Sequence, residues 1–235
     1  MAGMTTRRRR APRGSGDKLR DEILDAATEL LLEYGDAKAV SIRSVAQRVG
    51  VTPPSIYLHF SDKDALLDAV CVRYFEKLDE EMQQVAGHAG ECGESAIDVL
   101  RAEGLAYVRF ALKTPELYRI ATMERGHPGS DVDITLNSSA FVHMRATIEV
   151  LIADGIYPRK DPTALALELW TAAHGVAALL ISRPYLPWGD TEEFADRVLR
   201  SLCCGHIVSG AIRPTDTPSE TVTWLKEVAD ERHRR

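Results

Sequence analysis

The sequence predicts an all-α protein, with an N-terminal three-helix head that contains a helix-turn-helix and a larger C-terminal helical body. Three observations carry this. Apolar residues recur at three- and four-residue spacings through nearly every segment. No segment of useful length alternates apolar and polar residues as a half-buried strand does. The breaks fall at cap residues, glycines and prolines, the punctuation of helices.

Residues 1–16, rich in Arg, Pro, Gly and Ser, cannot bury apolar surface and read as a disordered arm. Asp17–Tyr34 carries Ile23, Ala27, Leu30 and Tyr34 on one face, and Gly35 supplies the stop. Ser41 is an N-cap for a short helix bearing Val45, Ala46 and Val49, and Gly50 permits a left-handed turn. Thr52 can cap a second short helix, whose first turn takes Pro53 and Pro54 without losing a needed N–H. Ser61 is the expected cap of the fourth helix, which should run to about Gln84 and end in Gly87–Gly93. Further helices are predicted at Ser95–Leu112, Pro115–Met123, Leu136–Ala153, Pro162–Ile181 and Thr191–Val208, with a short one around Val222–Val228 in the tail. The resulting division is an arm (1–16), a three-helix head (17–63), a helical body (64–212) and a tail (213–235).

The formal charge of −6 is unevenly spread. Residues 1–60 hold ten Lys/Arg against seven Asp/Glu, leaving nineteen against twenty-eight for the rest, so a basic head sits on an acidic body. Cys71, Cys92, Cys203 and Cys204 form no CxxC pair and read as reduced thiols. The N-terminal residues carry no apolar stretch, so the expected location is the cytoplasm. Thr163–Ser182 alone has membrane-spanning length, but Glu168 and His174 interrupt it, and a buried helix is the expectation rather than a membrane partner. His88 and Cys92 are an isolated pair, and Cys203, Cys204 and His206 lack a second ligand cluster. No phosphate loop or nucleophile motif occurs, so neither an enzyme nor a metal or other cofactor is expected.

A short capped helix, a glycine turn and a second short helix make a helix-turn-helix, whose second helix enters the major groove. The segment AVSIRSVAQRVGVTPPSIYLHFSDKDALLDAV resembles the DNA-binding domain of the TetR family, with Gly50, Ser55, Tyr57, His59, Phe60, Lys63 and Leu66 at the positions that carry the pattern. That resemblance implies that Thr52, Ser55, Tyr57 and His59 project towards DNA phosphates, with Ser55 and Tyr57 able to reach base edges. Tyr57 and His59 could instead pack against the first helix. Lys63 opens a helix whose N-terminus can itself hold a phosphate. Ser41 and Arg43 are placed to clamp the opposite backbone wall, Arg43 being equally readable as a solvated charge. Pro53 departs from the pattern because it cannot hydrogen-bond a base; with Pro54 it offers apolar surface to thymine methyl groups. Arg7–Arg10 and Arg13 either lie in a minor groove or form a solubilising tail.

One helix-turn-helix spans few base pairs, so palindromic half-sites on operator double-stranded DNA and a homodimer are expected. Pro162–Ile181 is apolar nearly all round and, with Thr191–Val208, would form the intermolecular four-helix bundle the resemblance implies. Within it WTAAHGVAALL, with Trp170, His174 and Gly175, resembles a Trp-His-Gly subtype of the family's C-terminal domain, as does PELYRIATME upstream. Tyr107, Phe110, Tyr118, Met123, Phe141, Met144, Ile148, Trp170 and His174 are the candidate pocket lining. A lone His on an apolar helix is more often a hydrogen-bonded core residue, which is the first reading of His174, and most of the others could be plain core too. Their apolar bulk with few fixed charges favours a small hydrophobic or amphipathic effector. The expected function is a repressor that such an effector releases from its operator, the fourth helix acting as lever; the alternative is a helical effector-binding protein that does not read DNA.

Overall fold

The computed structural model describes residues 16–123, 137–213 and 215–234. Ten α-helices occur among them: α1 (Gly16–Tyr34), α2 (Ile42–Val49), α3 (Pro53–Tyr57), α4 (Lys63–Glu91), α5 (Ala96–Lys113), α6 (Pro115–Met123), α7 (Ser139–Ala153), α8 (Pro162–Ser182), α9 (Thr191–Ala211) and α10 (Pro218–His233). A single 3-10 turn, Ala37–Ala39, joins α1 to α2, and no strand is present among the described residues. The predicted all-α class therefore holds. The chain divides into two compact units, one of residues up to Glu81 with Phe110–Val142, the other of Met82–Arg109 with His143 onwards.

The first unit is built around α1. Ile23, Ala27, Leu30 and Leu31 of α1 are buried with Val45 and Ala46 of α2, Ile56 of α3, and Phe60. Leu66 and Val70 of α4 and Ile120 of α6 complete the same core, although they lie beyond residues 17–63. Arg48 on α2 reaches Glu29 at 3.1 Å and Glu33 at 2.5 Å, tying α2 to α1. These exposed pairs orient more than they stabilise.

Helix α2 starts in a capping box: Ser44 N donates to Ser41 Oγ at 3.1 Å, and Ser41 N donates to Ser44 Oγ at 3.0 Å. It ends at Gly50, whose φ of 78° only glycine adopts without strain. There Val51 N donates to Ala46 O at 2.9 Å and Gly50 N to Gln47 O at 3.2 Å, the pairing that closes a helix through a left-handed residue. We expect Ser41→Ala to lower unfolding stability by about 1 kcal/mol, read as a lower urea midpoint at unchanged slope.

Three sequence expectations need correction. Thr52 occupies the N-cap position of α3 but makes no capping bond; its hydroxyl instead lies 3.0 Å from Ser55 Oγ. At α4 the cap is Asp62, whose Oδ1 accepts from Ala65 N at 2.8 Å, while Ser61 donates to the Asp62 carboxylate. The fourth helix also continues past Gln84 to Glu91. Glycine inside a helix costs about 1 kcal/mol relative to alanine but does not end it. The stop is Gly93, the glycine of that stretch with positive φ, 72°.

In the second unit α8 buries Leu165, Ala166, Leu169, Ala173, Val176, Ala177 and Leu180, and α9 buries Ala195, Leu199, Cys203 and His206. Helix α5 approaches α9 closely at Gly104, where a Cβ would stand 3.2 Å from Leu199 Cδ1. Pro162–Ser182 is the one described helix long and apolar enough to cross a membrane, with a mean hydropathy of 1.7. Seven of its residues are buried in the second unit. The tail helix α10 is longer than expected, because Thr217 and Glu220 form a second capping box and Pro218 occupies its first turn.

Candidate functional site

Helix α3 has two unlike faces. Ile56 is fully buried, whereas Tyr57 is 54% exposed and Leu58, just past the helix end, 83% exposed. Tyr57 therefore keeps more than half of its surface open to solvent. Thr52 and Pro54 are exposed as well, and Pro53, Ser55 and His59 are half-buried. Ser41 and Arg43 are exposed at the start of α2. Lys63 is half-buried at the start of α4, where its Nζ donates to Lys38 O at 3.4 Å.

Two features anchor this surface from behind. The Arg20 guanidinium stands 5.4 Å above the Phe60 ring, a cation–π contact that fixes the segment between α3 and α4. Arg119 on α6 donates to Gly35 O at 3.1 Å and pairs with Glu116, so α6 touches the C-terminal stop of α1. Sequence reasoning did not foresee Leu58, which follows no polar pattern, nor the place of α6 in the head's core. Burial of Ile120 and packing of Leu117 against that core put it there. The arginines at 7–10 and 13 lie outside the described residues.

The candidate pocket residues divide between the units. Tyr107, Met144, Ile148, Trp170 and His174 belong to the second unit, while Phe110, Tyr118 and Phe141 belong to the first. Tyr107 and Ile148 are buried, and Met144, Trp170 and His174 are half-buried. Tyr107 Oη lies 3.4 Å from His174 Nδ1, and the Trp170 and His174 rings are 5.1 Å apart. Burial pushes the His174 pKa down, which favours a neutral imidazole. In the first unit Phe110 packs against Tyr74 with ring centroids 5.0 Å apart, and Tyr118 and Phe141 are buried. Met123 closes α6, and its side chain lies outside the described residues.

The second unit also holds a charged group the sequence reading passed over. Glu103 is 1% exposed, accepts from Thr147 Oγ1 at 3.2 Å, and has His143 Nε2 3.3 Å from the same oxygen. Its position on the face of α5 that carries Leu100 and Tyr107 was the available signal. Elsewhere, burial pushes the Cys203 thiol up to about 11, which makes it a poor nucleophile, whereas Cys92 and Cys204 are exposed. His88 Nε2 and Cys92 Sγ lie 3.8 Å apart on the surface, and among the described residues no group of three His, Cys, Asp or Glu side chains is arranged to hold a metal ion.

A helix-turn-helix on a buried core, carried with a second, separately packed helical unit, is the architecture of a DNA-binding regulator. Comparison with known proteins makes this specific. Residues 23–70 match the family described as bacterial regulatory proteins, tetR family, and residues 100–202 match the tetracyclin repressor-like C-terminal domain. The class D tetracycline repressor of Escherichia coli is 26% identical over 170 residues, covering 72% of each chain. The transcriptional regulator YobS of Bacillus subtilis is 25% identical over 187 residues, covering 80% of this chain and 92% of that one. A solved Rhodococcus sp. RHA1 protein of unknown function superposes with a TM-score of 0.66 at 24% identity, over 80% of this chain and 95% of the other. The chain belongs to the TetR family of transcriptional regulators.

Proposed function

We propose that the protein is a transcriptional repressor that binds palindromic operator DNA as a homodimer and leaves it when a small hydrophobic or amphipathic effector binds the body. The observation that carries this reading is the two-faced α3, with Ile56 sealed in the core and Tyr57 and Leu58 presented outward. Ser55 and Tyr57 read base edges, Pro53, Pro54 and Leu58 offer apolar contact to thymine methyl groups, and Ser41, Arg43, Thr52, His59 and Lys63 meet phosphates. Two prolines at the leading edge shift specificity towards DNA shape.

Dimerisation is assigned to the outer faces of α8 and α9. Leu167, Leu179 and Ile207 are exposed there, and a Cβ added at Gly175 or Gly205 would meet open space, as suits close helix–helix approach. The Trp170, His174 and Gly175 pattern supports assignment of the body to the Trp-His-Gly subtype, and the function places the protein in the cytoplasm. Tyr107, Met144, Ile148, Trp170 and His174, all of the second unit, are the proposed lining of the effector niche. Helix α4 is continuous from the head's core into the second unit and is the element whose tilt an effector would change. Coupling is reciprocal, so operator DNA should weaken effector binding by the factor by which effector weakens operator binding.

The test is a mobility shift on DNA upstream of the protein's own gene across a salt series. Binding should weaken linearly in log salt, and Lys63→Ala should reduce the slope by about one for each lost phosphate contact. A salt-independent shift, or none on that DNA or on genomic fragments, would remove the repressor reading.

A further inference from the structure

Glu103 is the most deeply buried charged residue described. It does not stand alone. Glu103 and Tyr107 are four residues apart on α5, His143 and Thr147 four apart on α7, and Trp170 and His174 four apart on α8, a spacing that puts each pair on one helix face. The pairs meet: Glu103 contacts both His143 and Thr147, and Tyr107 contacts His174, whose ring lies against Trp170. All six residues belong to the second unit. Together they make a polar and aromatic seam inside a hydrophobic body.

Burying a carboxylate is costly even when it is paired, and an apolar side chain of similar volume commonly serves stability as well or better. A seam with this composition is therefore better suited to recognition than to packing. The arginines near it on α5 and α7 are paired with carboxylates. Arg101 and Arg109, on the same helix as Glu103, pair with Asp196 and Glu192 of α9, and Arg145 on α7 reaches Glu149 at 3.5 Å. Burial also holds His174 towards its neutral form.

We propose that Glu103 is the polar anchor of the effector niche and that the effector carries a hydrogen-bond-donating head, an ammonium or a hydroxyl group, on an aromatic or apolar body. This deepens, and rests on, the reading of the body as an effector-binding domain. The His143 side chain is 22% exposed where that of Glu103 is 1%, so an entering donor reaches the carboxylate by replacing the imidazole contact. Tyr107, Trp170 and His174 then border the ring or chain that follows. An effector headed by carboxylate or phosphate would meet Glu103 as a like charge.

The experiment uses the full-length protein and three probes of one shape: benzylamine, benzyl alcohol and benzoate, titrated at neutral pH by ligand-observed NMR. Benzylamine or benzyl alcohol should bind about tenfold or more tightly than benzoate, the gain typical of a hydrogen bond to a charged group. Preference for the amine assigns the ammonium head, and preference for the alcohol assigns the hydroxyl. Glu103→Leu should abolish that preference in a protein with unchanged circular dichroism. Should it fail to fold, Glu103→Gln, which keeps volume and an acceptor, should still lower benzylamine affinity about tenfold while holding benzyl alcohol within about threefold. Benzoate binding as tightly as either neutral or cationic probe, a variant retaining the wild-type ranking, or absence of binding by all three at millimolar concentration would overturn the proposal. Operator binding by the unliganded protein is a separate readout: its loss removes the repressor reading, whereas a wrong probe ranking beside intact operator binding removes only the assignment of Glu103.

Discussion

Replacing Tyr57 with alanine is expected to weaken operator binding roughly five- to hundredfold, the equivalent of about 1–3 kcal/mol for loss of a direct contact in the major groove. Thermal stability should hardly change. The ring is more than half exposed at the outer face of α3, and substitutions of such residues away from caps and cores usually stay within about 0.5 kcal/mol. Fluorescence anisotropy with operator and scrambled duplexes separates two roles. If Tyr57 reads a base, Tyr57→Phe retains apolar contact but loses discrimination at one position; if it contacts phosphate, both duplexes weaken alike. Wild-type affinity in Tyr57→Ala would place the DNA interface elsewhere.

The neighbouring residue should behave in the opposite way. Ile56→Ala is expected to lower stability by about 2–5 kcal/mol, because it empties space in a core closed on all sides by α1, α2 and α4. Ile56→Val removes one methylene and should cost about 0.5–1.5 kcal/mol. Urea unfolding followed by circular dichroism measures both. Operator binding by Ile56→Ala should fall in proportion to the folded fraction and recover at low temperature or with stabilising osmolyte, a rescue that Tyr57→Ala should not show. An Ile56→Ala protein as stable as the wild type would mean that α3 is not held by this core.

The contrast between these adjacent positions explains how much was legible in the chain. Ser41, Gly50 and the spacing of Val45, Ala46 and Ile56 encode the two short helices and their turn locally, whereas their reading as a DNA-binding pair came from the resemblance of the whole segment to the TetR family. Ile120 joins the head's core from a distant segment, and no local pattern reports a partner fifty or more residues away. Asp62 rather than Ser61 caps α4 because the helix begins at Lys63, one residue later than a Ser61 cap would set it. The tail helix is legible well beyond Val222–Val228. Thr217–Glu220 is a complete Thr-x-x-Glu signal with proline at the first helical position, obscured by the charge and threonine around it. Glu103 shows the reverse difficulty. On sequence it is one acid among thirty-five Asp and Glu residues, and only burial distinguishes it.

Pro53 and Pro54 have a thermodynamic consequence. A five-residue helix has too few internal hydrogen bonds to persist by itself in water. Here two fixed φ angles remove part of the conformational freedom of the unfolded segment, and Ile56 holds the remainder against α1. The reading helix is therefore ordered before DNA arrives, and docking carries little ordering entropy for that segment. Such a reader gives up adaptability: it cannot remodel its backbone to suit a poorly matched half-site, and discrimination between operators falls instead on how readily each DNA sequence adopts the shape a rigid probe demands.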